Sequence, residues 1–388
     1  MKFYEVVTFV EKRFFRMRIF IFNPEHDIAL ASNLEHFTAP HAGRELRHDL
    51  GFLPALWADA DDYVLVDDVE AAREAMRKLS ITMKAHVVDK DMIFSVLDKS
   101  IGNATVNPWG WDLAMRNYMK RVGVSLSCLP SNAKLNIIRE VSNRAWASEH
   151  LLAPLRGIDR TVGLSERLTD VDSVERFLNL HHRVVLKAPW SSSGRGIRYV
   201  ADSEQDGLQA NYGLTLQLKG WVNNVIQRQG AVMAEPYYNK VLDFGMEFTS
   251  DGNGSVSYEG LSIFHTVNGA YTGNIIDDEA HKSAWLCRYI PQSLLVKVRG
   301  RVESLLSEKL NGVYAGPFGI DMMVVRVGNS LALHPCVELN LRMTMGFVAL
   351  LLNRLHHIEQ QTMRIGYTDG RYSLNIQNLK SSSQSTIL

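Results

Sequence analysis

Two acidic residues near the C-terminal end of the sequence have the type and spacing to hold a divalent metal ion. Two apolar runs, residues 318–327 and 331–341, flank a Gly-Asn-Ser sequence, a pattern typical of a β-hairpin. With the Asn-Ser dipeptide as the loop, Asp321 lies directly across from Glu338. Two carboxylates about 5 Å apart repel each other unless a cation lies between them. The pair therefore predicts a bound cation.

Further polar side chains share a strand face with Glu338. Because side chains alternate along a strand, Asn340 points the same way, and the set Asp321, Glu338 and Asn340 offers oxygen ligands without sulfur or imidazole. Such a set suits Mg²⁺ or Mn²⁺. Arg342 follows on this face, where it could contact a phosphate. The alternative is an exposed strand face with solvated carboxylates, and Pro335 indicates a bulge that would change the register.

A second feature, upstream, could bind phosphate. Residues 189–196 read Pro-Trp-Ser-Ser-Ser-Gly-Arg-Gly, and loops of small residues leave backbone N–H groups free to donate to phosphate oxygens. Lys187 precedes this loop at the end of an apolar strand, so its ammonium group would lie near whatever the loop binds. The alternative is a flexible polar hairpin with a solvent-exposed lysine.

Two polar clusters lie in the first third of the chain. Residues 23–27 (Asn-Pro-Glu-His-Asp) follow a predicted strand, and residues 107–112 (Asn-Pro-Trp-Gly-Trp-Asp) form the second cluster. Ligands of open α/β sheets bind beyond the carboxyl ends of the strands, so residues 23–27 could hold a substrate. The alternative is a capped turn into a helix. Asp112 is a predicted helix N-cap.

The elements that must position these residues follow from hydrophobic periodicity. From residue 18 to about 130, short apolar runs alternate with helical patterns, which predicts a parallel sheet covered on both faces. A helix over 132–152 and a small α/β segment follow, and an antiparallel meander begins after residue 231. The predicted divisions are 1–130, 131–230, 231–379 and a Ser-rich, disordered tail at 380–388. Residues 1–16 lack a clean period, so we expect a non-native or disordered extension and a natural start at Met17.

Composition narrows the functional class. The 388 residues, 46% hydrophobic and 22% charged, are ordinary for a globular enzyme of two or three domains. Lys+Arg and Asp+Glu both total 42, so net charge gives no reason to expect nucleic acid or an anionic membrane as partner. Cys128, Cys287 and Cys336 form no CxxC pair, which indicates a reducing compartment. The sequence contains no apolar run of about 18 residues and no signal-peptide pattern. We therefore expect the protein in the cytoplasm. No Gly-Lys dipeptide, GxGxxG, HExxH or GxSxG occurs.

The order of these features resembles the ATP-grasp superfamily of carboxylate–amine ligases. The likeness covers roughly residues 130–355, and the motifs that carry it are Lys187, the small-residue loop, Glu235-Pro236-Tyr237, Asp321 and Glu338-Leu339-Asn340-Leu341-Arg342. The resemblance implies an α/β and α+β architecture, an ATP-grasp fold with an N-terminal Rossmann-like (pre-ATP-grasp) domain. The nucleotide would lie between a small lid subdomain, 131–230, and a C-terminal subdomain, 231–379, that carries the metal-binding hairpin.

The resemblance also implies a role for each site residue. Lys187 would bind the α- and β-phosphates, and Arg342 would stabilise the transferring phosphate. Arg144 would bind phosphate where the family usually has a lysine. The residues of the lid loop over the β- and γ-phosphates would be Ser191, Ser192, Ser193, Gly194, Arg195 and Gly196. Glu235, Pro236 and Tyr237 would form the adenine hinge, and Asp243 would bind ribose. Asp321, Glu338 and Asn340 would hold Mg²⁺ or Mn²⁺.

The activity implied is an ATP-dependent, ADP-forming ligase that makes a C–N bond. A carboxylate attacks the γ-phosphorus, an acyl phosphate forms, and an amine, or a thiol, displaces phosphate. Two alternatives stay open: an ATP-grasp kinase that phosphorylates a hydroxyl, and a nucleotide-binding protein without turnover. The expected partners are a small-molecule carboxylate and amine, with neither nucleic acid nor membrane, and a homodimer is compatible with this function.

Overall fold

The structure of the protein is a computed structural model that describes residues 17–99, 104–191, 196–201, 211–267 and 270–379. The predicted extension before Met17, the predicted tail at 380–388 and the lid-loop residues 192–195 lie outside this range. No helix in the described part of the chain is long and apolar enough to cross a bilayer.

The N-terminal region is built on a four-stranded parallel sheet with the order β3-β2-β1-β4. Its strands are β1 (Arg18–Ile21), β2 (Tyr63–Leu65), β3 (His86–Val88) and β4 (Thr105–Pro108). Its helices are α1 (His26–Ser32), α2 (His41–Leu50), α3 (Val69–Lys78), α4 (Lys90–Lys99) and α5 (Leu113–Val122), with 3₁₀ turns at Leu53–Leu56 and Leu126–Cys128.

Strand β1 shows why this sheet reads as a continuous apolar run. Ile19 and Ile21 pack into one hydrophobic core, whereas Phe20 and Phe22 pack into another on the opposite face. Successive side chains of a strand point to opposite faces, so the positions of a strand that is covered on both sides are apolar wherever they are buried. The predicted parallel sheet is confirmed.

A broken helical segment connects the first sheet to the second. It consists of α6 (Asn132–Val141), α7 (Arg144–Ala147), a π-helical turn at Ser148–Leu152 and α8 (Ala153–Leu155). The single helix predicted over 132–152 is therefore wrong. The break occurs because Asn143 caps α7, accepting a hydrogen bond from the backbone N–H of Ala145 at 2.8 Å. Arg144 is thus the first residue of a new helix.

The second sheet has five strands in the order β5-β9-β6-β7-β8. They are β5 (Glu166–Leu168), β6 (Arg183–Lys187), β7 (Ile197–Ala201), β8 (Asn211–Tyr212) and β9 (Val232–Pro236), with helices α9 (Val171–His181) and α10 (Leu216–Gln229). Strand β9 pairs with both β5 and β6. The predicted division at residue 230 therefore separates β9 from its own sheet.

The third sheet has seven antiparallel strands in the order β14-β13-β10-β11-β12-β15-β16. The strands are β10 (Asn239–Ser250), β11 (Val256–Val267), β12 (Ala270–Ile276), β13 (Gly316–Val327), β14 (Ser330–Asn340), β15 (Gln361–Thr368) and β16 (Arg371–Asn378). The helices are α11 (Glu279–Leu286), α12 (Gln292–Lys309) and α13 (Met345–His356). The predicted mixture of parallel α/β and antiparallel α+β structure is confirmed.

The first and third sheets share a hydrophobic core. Phe22 and Trp109, which follow β1 and β4, pack in the same cluster as Phe347 and Val348 of α13. The backbone N–H of Met343 also donates to the carbonyl of Trp109 at 2.8 Å. This contact brings the carboxyl ends of β1 and β4 against the end of β14, where the candidate site lies.

Candidate functional site

The hairpin of β13 and β14 places Asp321 directly across from Glu338, as the sequence predicted. The predicted loop is nevertheless wrong by one residue, because Val327 pairs with Ser330 and the turn is Gly328-Asn329. Gly328 has a φ of +57°, a left-handed conformation that glycine adopts without strain.

A bulge corrects the register before it reaches the acidic pair. Met323 pairs with His334, whereas Asp321 pairs with Glu338. Between these two pairs β14 therefore has two more residues than β13, in the segment that contains Pro335. Proline has no N–H to donate to the ladder, which is why bulges occur at such positions. The shift in register caused by the altered turn and the shift caused by the bulge cancel each other, so the two carboxylates lie at opposing positions.

The three predicted metal ligands lie together at the end of this hairpin. Asn340 Nδ2 donates to Asp321 Oδ2 at 3.1 Å, while Glu338 uses Oε1 to accept from Arg144. Lost solvation and the charge of Glu338 raise the pKa of Asp321 to about 7. A carboxyl held this far above its ordinary range lacks a cationic partner, and opposed carboxylates are donors that Mg²⁺ prefers. Asn340 turns its amide nitrogen towards Asp321, and its Oδ1 accepts from Arg342. The two carboxylates therefore fit a divalent metal, whereas the amide oxygen is already paired.

Glu247 of β10 is an acidic neighbour that the sequence analysis missed. Its side chain is buried, Thr344 Oγ1 donates to its Oε2 at 2.8 Å, and burial raises its pKa to about 8, with a further contribution from Asp321. A Cβ at Gly346 would lie 2.1 Å from Glu247 Oε1, so glycine is required there to make room. The sequence did contain a signal for Glu247: it is four residues after the predicted ligand Asp243, so both side chains lie on the same face of the strand.

Lys187 and Glu235, both predicted nucleotide-binding residues, form a buried ion pair. Lys187 Nζ lies 2.6 Å from Glu235 Oε2, and the two residues are 6% and 5% exposed. They lie on the adjacent strands β6 and β9 of the five-stranded sheet. The glutamate thereby fixes the position of the lysine at the end of β6.

Arg144 connects the start of the lid loop to the metal-binding hairpin. Its Nη1 donates to Ala188 O at 2.7 Å and Ser191 Oγ at 2.8 Å, and its Nη2 donates to Glu338 Oε1 at 2.6 Å. The residue is buried, and its Nε has no hydrogen-bond partner within the described ranges. Arg144 therefore brings together residues predicted separately as phosphate and metal ligands.

Arg342 is held by a residue of the first polar cluster. Its Nε and Nη2 donate to the two carboxylate oxygens of Asp27 at 3.0 and 2.9 Å, and Nη2 also donates to Asn340 Oδ1 at 2.9 Å. Burial by itself would raise the pKa of Asp27, but the Arg342 guanidinium overcomes this effect and holds that pKa below its ordinary value. A two-point contact of this kind fixes the plane of the guanidinium.

The predicted adenine and ribose ligands have partners of their own. The backbone N–H of Tyr237 donates to Arg183 O at 2.8 Å, and the Arg183 guanidinium lies 4.3 Å from the centre of the Tyr237 ring. Asp243 Oδ2 accepts from Lys240 and, at 2.7 Å, from Thr266 Oγ1. The amide of Tyr237 is thus already committed, whereas no donor among the described residues contacts Asp243 Oδ1.

A narrow cavity lies between Arg144, Glu338 and Asp27. Its lining includes His26, Asp27, Arg144, Ser191, Glu338 and Asn340. It joins the N-terminal region, the start of the lid loop and the hairpin, so a ligand at this point would contact all three. Gly196, the last predicted loop residue, lies beside Ser191, since an added Cβ would be 2.4 Å from Ser191 Cβ.

Comparison with known proteins adds solved structures of similar shape. No protein-family model matches the chain, and no curated protein sequence matches it either. N5-carboxyaminoimidazole synthetase from Staphylococcus aureus, complexed with ADP, is 11% identical with a TM-score of 0.49 over 96% of this chain and 94% of that one. N5-carboxyaminoimidazole ribonucleotide synthetase from Thermus thermophilus is 13% identical with a TM-score of 0.48 over 96% of each chain. A putative ATP-grasp superfamily protein from Archaeoglobus fulgidus is 14% identical with a TM-score of 0.45 over 94% and 100%.

Proposed function

We propose that this protein is an ATP-dependent, ADP-forming ligase that joins a small-molecule carboxylate to an amine through an acyl phosphate. The observation that carries the proposal is that Glu338, which faces Asp321 across the hairpin, lines one cavity together with Arg144. Asp27 lines the same cavity and holds Arg342. Opposed carboxylates next to two arginines form a site for a metal ion and an anion together.

The cationic side chains act on the phosphates of the nucleotide. Arg144 presents a planar fork of donors, and Lys187 supplies a point charge at the end of β6. A carboxylate substrate and ATP are both anionic, so these charges offset their repulsion before transfer. Arg342, which Asp27 holds, would stabilise the charge that develops on the transferring phosphoryl group.

The metal site belongs to the same proposal. Asp321, Glu338 and Asn340 would hold Mg²⁺ or Mn²⁺, and a bound ion would supply positive charge to the transferring phosphoryl group. Before any metal binds, Arg144 neutralises Oε1 of Glu338, and Oε2 has no hydrogen-bond partner among the described residues. This free oxygen is the one available for coordination. The lid loop, including Ser192, Ser193, Gly194 and Arg195, would exclude water that hydrolyses an acyl phosphate.

The experiment that tests this proposal is a screen for carboxylate-dependent ADP release with hydroxylamine as the acceptor. The purified protein, ATP and Mg²⁺ are incubated with a panel of small carboxylic acids, and hydroxamate is detected together with ADP. We expect hydroxamate in proportion to ADP for at least one acid. Glu338→Gln should reduce the rate at least about a hundredfold, by analogy with other electrostatic stabilisers. Glu308→Gln, a change at an exposed residue, is the matched control.

The same assay, run also with a panel of hydroxyl compounds, separates the alternatives. A stable phosphate ester without hydroxamate would identify a kinase that phosphorylates a hydroxyl. ATP binding without ADP release for any acid or hydroxyl compound would identify a nucleotide-binding protein, and the ligase proposal would be wrong.

A further inference from the structure

His26 and Asp112 form a buried pair at the carboxyl ends of two neighbouring strands. His26 opens α1 just after β1, and Asp112 precedes α5 just after β4. The chain runs outward from β1 through β2 to β3 and then returns to place β4 on the other side of β1. Such a reversal of strand order creates a crevice at the strand ends, where ligands of open α/β sheets bind.

The orientation of the imidazole is fixed by Asp112. His26 Nδ1 lies 2.9 Å from Asp112 Oδ2, and Asp112 Oδ1 accepts from the backbone N–H of Met115 at 2.8 Å. His26 and Asp112 are only 1% and 3% exposed. An ionised carboxylate only accepts hydrogen bonds, so the proton between the two groups belongs to Nδ1. In the neutral ring, Nε2 therefore carries a lone pair.

One face of the ring is closed by Gly110. A Cβ at this position would lie 2.3 Å from His26 Cδ2, so only glycine allows the approach. Gly110 is itself held by Asn23, whose Nδ2 donates to Gly110 O at 2.9 Å and whose Oδ1 accepts from Gly110 N at 3.3 Å. The imidazole is thus clamped on one edge and one face.

His26 also borders the candidate site. His26 lines the same cavity as Arg144, Glu338 and Asn340, and within the described residues Nε2 has no hydrogen-bond partner. The next residue, Asp27, holds Arg342. A proton acceptor with a fixed orientation therefore lies beside the groups assigned to phosphate and metal.

We propose that His26 is the general base that removes a proton from the amine substrate and that Asp112 is its positioning residue; this inference rests on the proposed function. An ammonium group gives one proton to Nε2, leaving a neutral amine and an imidazolium that Asp112 stabilises. The nitrogen lone pair then forms a bond to the acyl carbon. The carbon–oxygen bond to phosphate breaks, the phosphate leaves with its electron pair and takes the second nitrogen proton, and His26 returns its proton to solvent.

The test compares two acceptors that differ in their need for a base. Hydroxylamine is unprotonated at neutral pH, whereas ammonia and amino acids are mostly ammonium ions. With the carboxylate found by the hydroxylamine screen, we expect His26→Gln to lower amine-supported amide formation by about 10²- to 10⁴-fold. Hydroxylamine-supported turnover should fall by much less. The matched control is His356→Gln, a partly buried histidine whose Nε2 contacts only Leu56 O among the described residues.

The outcomes distinguish an error in the proposed role of His26 from an error in the proposed ligase activity. If His26→Gln lowers both acceptor rates equally, or neither, His26 is not the base although the ligase proposal stands. If the unaltered protein forms no hydroxamate with any acid, the ligase proposal itself fails, and the base proposal fails with it.

A spectroscopic measurement tests the role of Asp112 without turnover. In ¹⁵N NMR of the labelled protein, the His26 signals, assigned by their loss in His26→Gln, should show protonated Nδ1 and unprotonated Nε2. Asp112→Asn should abolish this preference and lower the amine-supported rate more than the hydroxylamine-supported rate. A native His26 protonated at Nε2, or an unchanged tautomer in Asp112→Asn, would overturn the assignment.

Discussion

Asp321 and Glu338 face each other across two antiparallel strands, although the turn between those strands is shifted by one residue from its predicted position. Burial of Asp321, together with the opposed charge of Glu338, raises the pKa of Asp321 to about 7. The site thus holds a proton at a pH where an ordinary aspartate has none. A divalent cation can take the place of that proton, so occupancy by metal and by proton should compete.

We therefore predict that Mg²⁺ stabilises the protein more at pH 8 than at pH 6. The pKa of Asp321 is raised from 3.8 to about 7 on folding, so its contribution to stability is full below about pH 4 and is lost as the pH rises through 7. Glu247, with a pKa of about 8, acts in the same direction. The measurement is the melting temperature with and without MgCl₂ at both pH values.

The control for this prediction is Asp321→Asn, which removes the charge and keeps the shape. In this variant the Mg²⁺ effect should be small at both pH values. If Mg²⁺ raised the melting temperature equally at pH 6 and pH 8, or raised it as much in Asp321→Asn as in the unaltered protein, this would contradict a metal site at this hairpin.

Lys187→Met should destabilise the protein and also weaken nucleotide binding. The change leaves Glu235 buried without its partner, a loss that typically costs about 3–5 kcal/mol. The double variant Lys187→Met/Glu235→Gln removes both charges, so it should recover most of the stability measured by urea unfolding. ATP affinity, measured by calorimetry, should stay at least about tenfold weaker in the double variant. Full recovery of ATP affinity would show that Lys187 has only a structural role.

Asp27→Asn should reduce turnover more than it reduces stability. Asp27 holds both Nε and Nη2 of Arg342, and an amide can accept only one of these hydrogen bonds. The loosened guanidinium should lower kcat about tenfold or more, because charge stabilisation depends on fixed geometry. The matched control is Glu259→Gln, which breaks the pair with the more exposed Arg354 and should leave kcat unchanged. Equal kcat in the two variants would argue against the positioning role.

His334→Leu should make the protein less sensitive to mild acid. Burial lowers the pKa of His334 from 6.5 to about 4, so the unfolded chain binds a proton that the folded chain refuses between these values. Its contribution to stability is therefore present above about pH 6.5 and is lost as the pH falls towards 4, by roughly 3 kcal/mol in all. Both ring nitrogens lack partners within the described residues, so leucine breaks no hydrogen bond there. The free energy of unfolding, measured with urea, should fall less steeply between pH 7 and pH 4 in the variant than in the unaltered protein. An equally steep fall in both would show that His334 is not the origin of the acid sensitivity.

Local patterns in the sequence were sufficient for the secondary structure around the site. The alternation of Ile19 and Phe20 between two cores requires an unbroken apolar strand, and the two runs beside Gly328 form a hairpin in either turn register. Asp112 was predicted as an N-cap because aspartate is favoured at that position, and its carboxylate does accept a hydrogen bond from the N–H of Met115, three residues ahead. Periodicity and capping act over a few residues, so one segment contains the whole signal.

The types of candidate ligand could also be identified from the sequence alone. Two carboxylates and an amide on one hairpin predict a hard divalent cation. The failures of prediction were equally local in origin. The helix over 132–152 is interrupted at Asn143, since a side chain that competes for backbone N–H groups can cap a new helix as well as continue an old one.

Only the tertiary structure decided how these pieces combine into a site. Arg144 meets Glu338 across 194 residues of sequence, Arg342 meets Asp27 across 315, and His26 meets Asp112 across 86. Each contact depends on how the three sheets pack, which is set by the shared cores and by the paths of the connecting segments. Hydrophobic periodicity specifies which face of an element is buried but not the element against which it packs. The acidic residues and the basic residues could thus be identified separately from the sequence, while their pairing required the folded chain.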